Sequence, residues 1–390
     1  MRLAVYSDYR YHHTGEALYA ELEFALFVDA LAERIEVVLV GRLDPTPASA
    51  RYEVARQSGF VALPNYASLG RPLRAARRMA PAVARFWRAL GSVDAVWLLG
   101  PHPLAVVFAA LAAVRGRHVF LGVRQDYIRY ARARYRGRPL IWLAAGLLEG
   151  AYLGIARRAP TVVVGPVLAA RYRRARGLLQ MGISLVPSED VVSGETAMSR
   201  SYEGELTLLS VGRLAPEKNP LILAEVLGLL RREDSRWRLV VCGDGPMEGP
   251  LRTRLSSLGL LDHSELRGYV PHGRGLTAAY RQSHAFLHVS WTEGGGPPQV
   301  LVEAFAAGTP VVATDVGGVR SAGEAVRLVP PGDPAAAASE LSRVASDPHL
   351  RRKLVDAGIR FARANTLESK VERLAEFLAE PATRRGRERR

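Results

Sequence analysis

Leu206-Thr207-Leu208-Leu209-Ser210-Val211-Gly212-Arg213-Leu214-Ala215-Pro216-Glu217-Lys218-Asn219-Pro220 reads as an apolar strand, a glycine turn carrying two cations, and the approach to a helix. A strand that stays apolar along its length has no solvent face. It belongs in a parallel sheet covered by helices on both sides. The same pattern recurs at Leu3–Ser7, Val37–Val40, Ala95–Leu99, Val119–Val123 and Thr161–Val164, then at Leu239–Cys242, Ala285–Val289 and Val311–Thr314, each run followed by a helix-like stretch. Two such series in 390 residues predict an α/β protein of two Rossmann-like, doubly wound domains. The polar, Ser- and Gly-rich stretch near Pro187–Glu205 marks the boundary. The expected layout is therefore an N-terminal domain over 1–187, a linker over 188–205, a C-terminal domain over 206–365, a helix over 366–380 that packs back on the N-terminal domain, and a basic tail over 381–390.

The composition, 48% hydrophobic and 23% charged, is that of a globular chain. One cysteine, Cys242, excludes an internal disulfide and fits a reducing, cytoplasmic compartment. The opening residues Met1–Asp8 read as a strand and loop, not as a signal peptide. Residues 95–114 carry no formal charge, but Gly100-Pro101-His102-Pro103 interrupts them, so they read as strand, loop and buried helix rather than a membrane span. The net charge is +15 and uneven: residues 1–200 hold 27 Arg against 15 acidic residues, residues 201–390 hold 26 basic against 23 acidic. An excess in one half points to an anionic partner. In segment 71–90, Arg71, Arg74, Arg77, Arg78, Arg85 and Arg88 fall on one helical face, with Pro81 expected to kink or split the helix. Six more arginines follow between Arg124 and Arg138. Peripheral contact with an anionic membrane is one reading of these faces, a solvated helix surface the other. Nucleic acid ranks last as a partner, since no recognised nucleic-acid motif is present.

Ligands of open parallel sheets bind at the carboxyl ends of strands. After Leu206–Val211 come Gly212, Arg213 and Lys218: a glycine permits close approach, and a planar fork and a point charge suit an anion. Lys218 is the only lysine before residue 353 in a chain of 50 Arg and three Lys. After Ala285–Val289 comes Trp291-Thr292-Glu293-Gly294-Gly295-Gly296-Pro297-Pro298-Gln299-Val300-Leu301-Val302-Glu303. Its glycines expose backbone N–H groups, a helix starts near Pro298, and Glu303 lies about a turn and a half inside it. Amides for phosphate and carboxylates for hydroxyls suit a polyhydroxylated, anionic ligand.

From about Leu206 to Gly318 the chain resembles the retaining family 4 glycosyltransferases, which have the GT-B fold. The residues that carry the resemblance are Gly212-Arg213-Leu214 with Glu217-Lys218, Gly243-Asp244-Gly245-Pro246, Arg267-Gly268-Tyr269-Val270-Pro271, the Glu293–Glu303 segment and Thr314-Asp315-Val316-Gly317-Gly318. The resemblance implies two domains facing a cleft and a sugar moved, with retention, from a nucleotide-diphosphate donor to a glycan or lipid-linked acceptor. It implies that Arg213 and Lys218 bind the diphosphate, that the Tyr269–Val270 backbone sits against the base, that Glu303, with Val300 and Leu301 beside it, binds the ribose, and that Glu293 with the amides of Gly295 and Gly296 holds the sugar. No metal and no cofactor beyond the donor are expected. Glu293 and Glu303 are separated by nine residues, longer than the family's usual interval, so the loop between them must bulge. In the N-terminal half, Gly15 stands where the family has a phosphate-facing glycine loop. His102 reads either as a group near the donor sugar or as a hydrogen-bonded loop histidine, and Asp126 either as an acceptor contact or as a helix cap. The other functions left open are a GT-B epimerase and a non-catalytic nucleotide-sugar-binding partner in glycan assembly.

Overall fold

A computed structural model describes residues 1–15, 17–45, 52–57, 59–65, 72–135 and 137–387, without the side chains of 14, 72–78, 133–134 and 380–387. The chain forms two compact units, Met1–Ile183 with Glu368–Arg390, and Ser184–Leu367.

The second unit is a six-stranded parallel sheet in the order Ser264–Leu266, Trp237–Cys242, Leu206–Val211, Ala285–His288, Val311–Thr314, Val326–Val329. Successive side chains of a strand point to opposite faces, and here both faces are core. Leu208, Leu239, Val241 and Val312 lie in the core on the side of the helices Ile222–Glu233 and Pro334–Ser346, while Leu209, Val240, Cys242 and Val311 lie in the core on the side of the helices Arg274–Gln282 and Gln299–Ala306. This double burial is why the strands read as unbroken apolar runs.

The first unit holds seven parallel strands, in the order Gly59–Pro64, Glu36–Leu43, Arg2–Thr14, Ala95–Gly100, His118–Val123, Pro160–Val163, Gly177–Gln180. Arg2–Thr14 continues past its parallel part and folds back as an antiparallel hairpin with Ala17–Ala20, on which Tyr52–Glu53 adds.

Three expectations are corrected. The stretch 188–205 is not a free linker: Val192 N–H donates to the Ala306 carbonyl (2.9 Å), and the short helix Gly194–Met198 sets Ala197 against Gly308 in the second unit. Pro81 sits inside a single helix, Pro72–Ala89, rather than splitting it. The side chains of Arg71, Arg74, Arg77 and Arg78 lie outside the described residues, and Arg85 donates to the Ala62 carbonyl (2.6 Å). The last helix runs Leu367–Arg387, into the stretch expected to be a tail, and Phe377 packs edge-on to Phe120 of the first unit (6.5 Å).

Candidate active site

Where strand order reverses in a parallel sheet, the loops leaving the two central strands diverge and open a crevice. In the second unit this happens between Leu206–Val211 and Ala285–His288. The loops leaving them are the two singled out in the sequence.

Each is buttressed by glycine. Leu214 N–H donates to the Asp244 carbonyl (2.7 Å), and a Cβ on Gly243 would stand 1.9 Å from the Gly212 oxygen. Gly318 N–H donates to the Gly294 carbonyl (2.7 Å), and a Cβ on Gly318 would stand 2.1 Å from the Gly296 oxygen. Backbone lies on backbone at both places, which only glycine allows. The Gly243-Asp244-Gly245 and Gly317-Gly318 motifs thus hold the Arg213 and Glu293 loops in place. The longer Glu293–Glu303 interval is taken up by the loop that leans on Gly317-Gly318.

Glu293 is the hub of this end of the sheet. Its Oε1 accepts from Ser290 Oγ (2.6 Å) and His288 Nε2 (2.9 Å) and forms an ion pair with Lys218 Nζ. Burial pushes its carboxyl up, but the His288 hydrogen bond and the Lys218 charge outweigh burial and hold it down at about 2. The acceptor on Glu293 places the His288 proton on Nε2, and Nδ1 is buried with no partner among the described residues. Arg213, on the same loop as Lys218, is exposed and pairs with Glu217 (3.0 Å). Each cation is thus paired with a carboxylate, and an entering anion competes with that carboxylate.

Glu303 lies in the helix Gln299–Ala306. Tyr280 Oη donates to its Oε2 (2.8 Å), and His272 Nδ1 stands 3.4 Å from its Oε1 while His272 Nε2 donates to the Leu185 carbonyl (3.0 Å). Gly295 and Gly296 belong to the loop before this helix, and Tyr269 and Val270 follow the edge strand Ser264–Leu266. The Leu301 side chain is fully buried in the core, so only its backbone is available to a ligand, while Val300 is half-buried against that core. Beside them Gln299 has both side-chain polar atoms buried and unpaired among the described residues, in the first turn of that helix.

The sequence reading missed Gln299, Tyr280, His272, His288 and Ser290. His272 directly follows the Arg267–Pro271 motif, and His288 and Ser290 lie at the carboxyl end of a strand. Position relative to strand ends was a usable signal for these three. Tyr280 lies mid-helix and gave none.

The first unit has its own reversal, between Arg2–Thr14 and Ala95–Gly100. His102 caps the helix Pro103–Val114 there. Its Nδ1 accepts from Tyr6 Oη (2.9 Å) and Leu104 N–H (3.3 Å), leaving Nε2 toward Asp8 Oδ2 (3.5 Å). Burial lowers the His102 pKa, with Asp8 pulling the other way. Arg42 donates to the Asp8 carbonyl (2.7 Å). Gly15 lies in a hairpin turn between two strands, not in a loop leading into a helix. The first strand runs through to Thr14, which puts Gly15 at the hairpin tip, where a Cβ would meet nothing. Asp126 caps the helix Tyr127–Arg134 through Arg129 N–H (3.1 Å) and pairs with Arg171 (2.6 Å).

Two units of this topology constitute the GT-B fold. The structure is similar to that of Anabaena Alr3699/HepE in complex with UDP, with a TM-score of 0.67 over 97% of this chain and 99% of that one at 16% identity. Residues 195–361, nearly the whole second unit, match the model of Glycosyl transferases group 1. Over 181 residues the chain is 34% identical to the D-inositol 3-phosphate glycosyltransferase of Thermomonospora curvata, covering 43% of this chain and 41% of the relative. Over 166 residues it is 34% identical to the exopolysaccharide phosphotransferase SCO2592 of Streptomyces coelicolor, covering 40% of this chain and 17% of the relative. The chain spans less than half the length of these curated relatives.

Proposed function

We propose that the chain is a glycosyltransferase. It moves a sugar from a nucleotide-diphosphate donor, bound by the second unit, to a glycan or lipid-linked acceptor bound by the first unit, with retention at the anomeric carbon. The observation that carries this reading is the convergence of Lys218, Glu293 and the Gln299–Ala306 helix N-terminus at the strand reversal of the second unit. The family match over 195–361 and the UDP held by HepE support it.

In this reading the bond between the anomeric carbon and the diphosphate oxygen breaks as the acceptor hydroxyl oxygen bonds that carbon, and the diphosphate leaves with the electron pair and takes up the hydroxyl proton. Lys218 and Arg213 stabilise the charge that develops on it, which needs no metal. The diphosphate draws Lys218 away from Glu293. Glu293, still held by Ser290 and His288, then turns its freed acceptor capacity to a sugar hydroxyl. Glu303, steadied by Tyr280, accepts from the ribose, and Gln299 supplies a donor and an acceptor beside it. The reaction takes place in the cytoplasm, at the inner face of a membrane when the acceptor is lipid-linked. The single buried, free Cys242 and the basic first half fit this location.

The test is thermal stabilisation across UDP-, GDP- and ADP-sugars without added metal, followed by product analysis. A donor at a hundred times its Kd adds about 2.7 kcal/mol to the folded state. A shift with one donor that disappears in Glu303→Ala, and a new glycoside formed from that donor, are expected. No shift with any donor sinks the reading, and an altered free sugar in place of a glycoside assigns the epimerase instead.

A further inference from the structure

The helix Pro139–Ala156 has a mean hydropathy high enough, over 18 residues, to cross a bilayer, yet only 22% of it is buried. Ala145, Glu149, Tyr152 and Ala156 on one face are packed into the first unit, with Tyr152 Oη accepting from His102 N–H (3.0 Å) and Glu149 facing Arg171 (3.5 Å). The opposite face is bare: Leu140 is 79%, Leu143 61% and Leu147 68% exposed. At 100° per residue these three leucines form one stripe, and the stripe continues into Ala151, Gly154 and Ile155. There it enters a groove of about 1070 Å³ between this helix and the helix Pro103–Val114, also lined by Phe377, Arg117, Arg158 and Arg176.

The segment that builds this helix and its neighbours is strongly basic. Residues 103–180 contain fourteen arginines and two acidic residues, Asp126 and Glu149, and both acids face Arg171. The whole excess of the first 200 residues falls within this segment, because the remainder holds thirteen Arg and thirteen acidic residues. Arg117, Arg138, Arg157, Arg158 and Arg176 have no ion-pair partner among the described residues. Arg138 begins the leucine helix, and Arg157 and Arg158 follow its end.

The structure assigns this face to docking on an anionic phospholipid bilayer. The helix lies flat on it, with Leu140, Leu143 and Leu147 in the boundary between headgroups and acyl chains and the arginines on the phosphates. Other occupants fit the charge poorly. A second copy meeting the same face would set arginine against arginine. The chain's own end, with five arginines in 384–390, would do the same. This docking deepens the lipid-linked acceptor reading, but its test uses neither donor nor acceptor, so failure here leaves the transfer chemistry standing and failure there leaves this standing.

The full chain is sedimented with phosphatidylcholine vesicles and with phosphatidylcholine–phosphatidylglycerol vesicles, at low and high salt. Binding to the anionic vesicles, weakened by salt and slight on the neutral ones, is expected. Leu143→Ser/Leu147→Ser, both exposed and so neutral for folding by melting temperature, lowers binding about tenfold or more. Arg157→Ala/Arg158→Ala lowers it about fivefold for each arginine removed. Equal binding by the leucine variant and the parent overturns the proposal, as does no binding to anionic vesicles. A dimer that the leucine variant dissolves, in a chain that ignores vesicles, assigns the face to a second copy instead.

Discussion

Gly318→Ala places a methyl group 2.1 Å from the Gly296 oxygen and 2.3 Å from its carbonyl carbon. Both are backbone atoms, so no side chain can rotate away. Contact at van der Waals distance requires the Glu293–Gly296 loop and the Gly318 turn to separate by roughly 1 Å. The separation stretches the Gly318 N–H bond to the Gly294 carbonyl, now 2.7 Å, which costs about 1 kcal/mol. Overpacking adds about 1–3 kcal/mol. For a unit of this size the sum lowers the melting temperature by roughly 4–16 °C. The effect on transfer is larger, because a displacement of about 1 Å at a positioned group costs about a hundredfold in rate. Gly204→Ala is the control, since a Cβ there meets nothing within 4 Å. Melting curves, donor affinity and turnover are measured for both variants. Gly318→Ala with an unchanged melting temperature and turnover within about twofold of the parent refutes the claim that this glycine holds the donor loop.

Three further outcomes follow from the same geometry. The Glu293 carboxyl sits at about 2 against an ordinary 4.5, so its ion pair and hydrogen bonds stabilise the fold fully above about pH 4.5 and are lost as pH falls toward 2. That contribution is on the order of 3 kcal/mol, and Glu293→Gln should flatten the acid limb of a denaturation-against-pH curve. Lys218→Ala should cut turnover about a hundredfold or more while costing about 1–2 kcal/mol of stability, because Ser290 and His288 still serve Glu293; near-normal turnover removes Lys218 from the mechanism. Tyr280→Phe keeps the buried ring and removes the donor to Glu303, so donor affinity should fall about fivefold with about 1 kcal/mol of stability lost, read by calorimetric titration and urea melts.

The doubly wound class and most central strands were legible in the sequence because they are buried on both faces and therefore apolar throughout. Leu206–Val211 and Val311–Thr314 begin and end where the pattern put them. Edge strands were not legible. Ser264–Leu266 and Gly177–Gln180 cover too little core to show a pattern, and Gly59–Pro64 is only half buried. The first strand was read as ending at Ser7, because the apolar run stops there and Asp8, Arg10, His12 and His13 follow, whereas the strand continues past a bulge to Thr14.

Local features could be read directly from residue order: strands, the glycine turns after them, and the residue types gathered on those turns. Periodicity and turn chemistry act over a few residues and are written in order along the chain. Pairings and exposures came only from the folded chain. Lys218 meets Glu293 across 75 positions and Tyr280 meets Glu303 across 23, because the register of parallel strands, not sequence distance, brings loops together. The same holds for the leucines of Pro139–Ala156. Their spacing marks an apolar helix face, but only the packing of Tyr152 and Glu149 against the first unit fixes which face is covered and leaves Leu140, Leu143 and Leu147 to the outside.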